Sequence, residues 1–65
     1  MIQNKLKSIR MQTYMMNKKE FSSLINVSEQ QYYRYEDNTS PSLEVAIRIS
    51  NALNMSVNDI WCIIE

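Results

Sequence analysis

The 65-residue sequence contains no glycine and no histidine, and only one cysteine and one proline. Each shortage removes a class of chemistry. Without glycine, loops that cradle a phosphate through close backbone approach are excluded. Without histidine, and with a single cysteine, metal sites and the usual nucleophile–base pairs lack their parts. No two of the acids form a suggestive catalytic pair, so neither an enzyme nor a cofactor is expected. One cysteine cannot form an intramolecular disulfide, which suits a reducing cytoplasm. No apolar run approaches the roughly 20 residues of a membrane span. The opening MIQNKLKSIR lacks the apolar centre of a signal peptide. Residues 1–65 are therefore expected to form one small soluble domain, near the lower size limit for folding without staples.

What is present is unevenly distributed. The formal net charge is zero. Yet residues 1–19 carry Lys5, Lys7, Arg10, Lys18 and Lys19 with no acid, whereas the remainder sets Arg34 and Arg48 against all seven acids. A chain divided in this way can present one basic face while staying neutral as a whole. The same distribution also fits a solvated, lysine-rich first helix.

Apolar spacing predicts five short helices and no strand, since no period of two persists. Leu6 and Ile9, with Thr13, place the first helix over about Asn4 to Gln12. Asn17 followed by Glu20 has the capping-box spacing, and Phe21, Leu24 and Ile25 supply the apolar face of a second helix. Asn26 can take the left-handed conformation that often ends a helix. Ser28 caps a third helix of about Glu29 to Glu36, with Asn38 after it. Pro41 and Ser42 open a fourth, whose apolar positions are Leu43, Ala46, Ile47, Ile49, Ala52 and Leu53. Asn54 ends it, and Ser56 or Val57 starts a fifth through Ile60, Trp61 and Ile64.

The second and third helices are separated only by Asn26-Val27-Ser28, which forces a steep crossing; Ser22 is the small residue available at the contact. Winding SEQQYYRYE at 100° per residue divides its tyrosines. Ser28, Tyr32 and Tyr35 share one side with Glu36 at its edge. Glu29, Gln30, Tyr33 and Arg34 take the other. That second side carries an amide and a guanidinium, the groups that contact adenine and guanine edges bidentately. An ordinary polar helix face would look much the same.

Over about residues 4–61 the chain resembles the phage-repressor and Cro-like (XRE-like) helix-turn-helix family. The features that agree are Lys5-Leu6-Lys7 with Ile9-Arg10, the Val27-Ser28 turn, Tyr32, Tyr35-Glu36, Pro41-Ser42-Leu43 and Asn58-Asp59-Ile60-Trp61. The resemblance implies an all-α, compact five-helix domain whose third helix enters the major groove of double-stranded DNA. It assigns base reading to Gln30 and Arg34, with Glu29 and Tyr33 beside them. It assigns backbone contacts to Asn17, Lys18, Ser28 and Gln31. It also pairs Arg10 with Glu36 internally. There are departures: asparagines replace the turn glycines, one extra residue lies between Arg10 and Met16, and the Asp37–Pro41 loop is short and has no basic residue.

The function implied is a sequence-specific transcriptional regulator, a repressor, without cofactor or small-molecule ligand. The alternative is a protein–protein module, of antitoxin or anti-repressor type, on the same fold. A symmetric homodimer on a palindromic operator is expected, because one small domain reads too few bases. Its interface is placed at Trp61, Ile63 and Ile64, with Ile63 pointing away from the core. Met11, Met15, Met16 and Met55 are expected to fill gaps, and Cys62 to act as a small apolar side chain.

Overall fold

Side-chain caps set the helical framework of the computed structural model, which describes residues 1–64. The Asn17 amide oxygen accepts from the Glu20 N–H at 2.8 Å, and the Glu20 carboxylate accepts from the Asn17 N–H at 3.1 Å. This reciprocal box starts α2 (Lys18–Leu24). Ser28 Oγ accepts from the Gln31 N–H and starts α3 (Glu29–Glu36). Ser42 Oγ does the same for α4 (Leu43–Ala52) through the Val45 N–H. The Asp59 carboxylate, accepting from the Ser56 N–H, fixes the short α5 (Val57–Ile60). Asn26, Asn38 and Asn54 all have positive φ, as expected of residues that stand in for glycine after a helix.

The first helix differs from expectation. It begins as α1 (Leu6–Ser8) and continues as a π-helical segment, Ile9–Tyr14. The wider turn absorbs the extra residue between Arg10 and Met16. The segment ends on Met15, an exposed side chain held in the left-handed region at φ 51°. Met11 is exposed as well, so only Met16 and Met55 fill gaps against the core.

The two chain ends also differ from expectation. Ile2–Asn4 forms β1 and Trp61–Ile63 forms β2, an antiparallel pair in the register Ile2↔Ile63, Gln3↔Cys62 and Asn4↔Trp61. The fifth helix thus stops at Ile60, and Trp61 to Ile64 are not helical. Three-residue strands are too short to show a period in sequence. They form because each end supplies the other's hydrogen-bond partners, a contact that local sequence does not encode. Cys62 and Ile64 are exposed rather than buried. Because strand residues alternate, Ile63 lies on the same face as Trp61, yet it is largely exposed.

The core is formed by Leu6, Ile9, Phe21, Ile25, Tyr32, Tyr35, Ile49, Leu53 and Ile60. Phe21 joins the rings of Tyr14 and Tyr32, at centroid distances of 5.6 and 5.5 Å. Leu24, Leu43, Ile47 and Ala52, assigned to apolar faces from spacing, lie at the surface.

Candidate nucleic-acid interface

The α2–turn–α3 unit is closed by backbone as well as side chains. The Val27 N–H donates to the Ser22 carbonyl at 3.0 Å, and Ser22 is buried at the crossing, as its small size suggested. Tyr32 and Tyr35 are buried, whereas Tyr33 is 45% exposed. The division of tyrosines read from helical winding is thus observed. On the outer side Glu29, Gln30, Gln31, Tyr33 and Arg34 are all exposed. The core therefore fixes the roll of α3, and five polar side chains form its free surface.

Behind that surface lies the ion pair. Arg10 Nε donates to Glu36 Oε2 at 2.9 Å, with side-chain exposures of 11% and 7%. Arg10 also donates to the Met16 carbonyl at 3.0 Å. Burial alone pushes the Glu36 carboxyl up. The nearby Tyr32 hydroxyl, Arg10 and Lys18 outweigh it and hold the carboxyl below its ordinary value. Burial and then Glu36 push the Tyr32 phenol strongly up, so it stays protonated beside the pair. Its hydroxyl is buried without full hydrogen-bond geometry to any partner.

Four contacts around α3 had no counterpart in the sequence expectations. Lys18 Nζ lies 4.7 Å from the centre of the Tyr33 ring and 3.8 Å from Glu36 Oε1. The Tyr33 hydroxyl donates to Glu29 Oε2 at 2.7 Å, and this bond is the main reason its phenol ionises less readily than usual. The spacing of Glu29 and Tyr33, i and i+4 on one helix, could have revealed that bond. The Lys18 contacts depend on how α2 crosses α3 and could not be found in this way. The fourth contact is made by Asn4, whose Nδ2 donates to the Tyr35 carbonyl at 2.6 Å and ties β1 to the last turn of α3.

The structure brings Lys18, Glu29 and Tyr33 into one connected group, with Gln30, Gln31 and Arg34 exposed on the same helix. Asn17 and Ser28 stand at the starts of α2 and α3, with their side-chain oxygens engaged in capping. Trp61, Ile63 and Ile64 lie in or just beyond β2, a separate element. Among the described residues no cluster of histidine, cysteine or acids has the makings of a metal site. No helix among them is long and apolar enough to cross a membrane.

Two capped helices joined by a tight turn, with the second exposing a polar face, define a helix-turn-helix unit. A family model described as Helix-turn-helix matches residues 6–60, and the chain belongs to that family, in its XRE-type, Cro-like branch. It is a DNA-binding regulator of this type. No match was found among curated proteins.

Proposed function

We propose that the protein is a sequence-specific transcriptional repressor that lays α3 in the major groove of double-stranded DNA. The observation that carries this reading is the fixed roll of α3. Tyr32, Tyr35 and Glu36 lock one side inward, and Gln30 and Arg34 project from the other beside Glu29 and Tyr33. Gln30 suits an adenine edge and Arg34 a guanine edge. Glu29, steadied by the Tyr33 hydroxyl, suits the amino group of cytosine. Lys18, Asn17, Ser28 and Gln31 would meet the phosphates, since they flank the reading helix at the start of α2 and α3. For Lys18 this means exchanging its contact with Glu36 for one with a phosphate.

A domain with four base-reading side chains gains its selectivity by acting twice. The protein is accordingly read as a homodimer on a palindromic operator, with half-sites about one helical turn apart. It needs no cofactor or small-molecule ligand in this role, and its place of action is the cytoplasm, on the nucleoid when bound.

Selection of duplexes from a random pool, followed by titrations of variants against the winning site, tests the reading. Gln30→Ala and Arg34→Ala should each flatten preference at one base pair per half-site, by about 1–3 kcal/mol. Lys18→Ala should weaken all sequences alike and lower the salt slope by about one. Uniform loss of affinity in both classes of variant would mean that α3 does not read bases.

A further inference from the structure

Tyr33 is restrained from two directions. Within α3 its hydroxyl donates to Glu29 Oε2 at 2.7 Å, one helical turn earlier. From α2, the Lys18 ammonium lies 4.7 Å from the ring centre and is itself 3.8 Å from Glu36 Oε1. The buried Arg10–Glu36 pair is thus linked, through Lys18 and Tyr33, to Glu29 on the first turn of the helix. A bond to a carboxylate is stronger than one between neutral groups, and a single helix carries both partners. It does not depend on where Lys18 goes when a phosphate arrives.

The bond determines what the two side chains can offer a ligand. A phenol has one O–H to give, and Tyr33 gives it to Glu29. Only acceptor capacity remains on the Tyr33 oxygen. A carboxylate accepts and does not donate, and among the described residues no side-chain or capping bond reaches Glu29 Oε1. The pair therefore presents acceptors alone. An unpaired tyrosine or a glutamine would present donor and acceptor together and discriminate less. In the major groove, cytosine and adenine offer an amino donor where thymine and guanine offer a keto acceptor.

We propose that Tyr33 is a positioning residue rather than a base reader: it makes Glu29 part of an acceptor-only element that selects an amino-bearing base, cytosine foremost, and rejects thymine and guanine. This rests on the reading of α3 as the helix that enters the groove. Cytosine is favoured over adenine because the adenine amino group is flanked by the N7 acceptor, which repels a carboxylate. Rejection carries much of the selectivity, since a carboxylate oxygen set against a keto oxygen leaves both without a donor.

The test uses the full chain and duplexes in which single base pairs of the selected site are changed. At the pair facing Glu29, exchanging cytosine for thymine should weaken wild-type binding by roughly tenfold or more. Tyr33→Phe keeps the ring beside Lys18 and removes only the hydroxyl. It should reduce that thymine penalty by roughly threefold or more, with the salt slope and the preferences set by Gln30 and Arg34 unchanged. In a Glu29→Ala background the same substitution should alter no base preference, whereas a general effect on the helix would appear in both backgrounds. A second measurement needs no DNA. The Tyr33 phenol, which its bond to Glu29 makes harder to ionise, should titrate at lower pH in Glu29→Ala when its ring carbon resonance is followed. An intact thymine penalty in Tyr33→Phe, or an equal shift in the Glu29→Ala background, would overturn the positioning role. So would a phenol that titrates alike in both proteins. Wild-type protein that prefers no sequence would end the DNA reading and this proposal together, whereas selective binding with an unmoved penalty strikes the proposal alone.

Discussion

The α2–turn–α3 unit and the terminal sheet are built on opposite principles. In the first, every boundary is set by a residue no more than a few positions away: Asn17 and Glu20 open α2, Asn26 closes it, and Ser28 opens α3. In the second, Ile2–Asn4 and Trp61–Ile63 take their conformation from each other across almost the whole chain. The α2–turn–α3 unit is locally specified and anchored by a buried charge pair. The terminal sheet is short and specified only by tertiary pairing.

The largest expected effect comes from breaking the anchor. Glu36→Ala leaves the Arg10 guanidinium buried without its partner, a loss of about 3–5 kcal/mol in urea denaturation. In a domain this small that approaches the whole stability. The same anchor predicts a pH dependence. Because the folded Glu36 carboxyl lies below its reference value of 4.5, its contribution is complete above that value and is lost as pH falls through the lower folded value. A stability profile that stays flat below pH 4.5 would contradict the anchor.

Removing a cap tests the local side of the comparison at smaller amplitude. Ser28→Ala gives up the bond to the Gln31 N–H and should lower stability by about 1 kcal/mol. Heteronuclear spectra should place the disturbance at the start of α3 and leave β1 and β2 in place. Equal disturbance of the sheet would mean that the two regions are not specified separately.

The next effect has the opposite sign. Met15 is exposed and held left-handed, where a side chain other than asparagine or glycine is strained by roughly 1–2 kcal/mol. Met15→Asn should recover part of that, about 1 kcal/mol or less, and raise the melting temperature by a few degrees. No gain on melting would show that the π-helical segment does not strain its last residue.

The smallest effect is a control for the first. Glu44 and Arg48 lie 3.7 Å apart on α4, but their side chains are 78% and 66% exposed. Glu44→Gln should change stability by no more than about 0.5 kcal/mol, against several for the buried pair. Comparable losses at both sites would remove the distinction between anchor and surface.

How much could be read in the sequence follows the same divide. Caps, asparagine turns, the split of Tyr32 and Tyr35 from Tyr33, and the exposure of Gln30 and Arg34 all follow from short-range spacing, and all are found. The Arg10–Glu36 pair was available only through resemblance, since nothing local joins residues 26 positions apart. The stacking of Lys18 on Tyr33 depends on a crossing angle that sequence leaves open. Trp61 to Ile64 was expected as helix because apolar residues at 57, 60, 61 and 64 fit a 3.6-residue period. Pairing with β1 overrode that pattern. At Met15, the left-handed conformation was hidden by a residue that seldom adopts it.

The bond from the Ile64 N–H to the Met1 carbonyl brings the first and last described residues together, so the backbone nearly closes into a ring. Such a closure spans the longest loop the described chain has, and loop entropy sets it against shorter-range contacts during folding. The helices therefore have reason to assemble first, with the sheet as the final clasp. In stopped-flow refolding, substitutions in β2 should mainly speed unfolding, whereas those in the α2–α3 core should also slow folding.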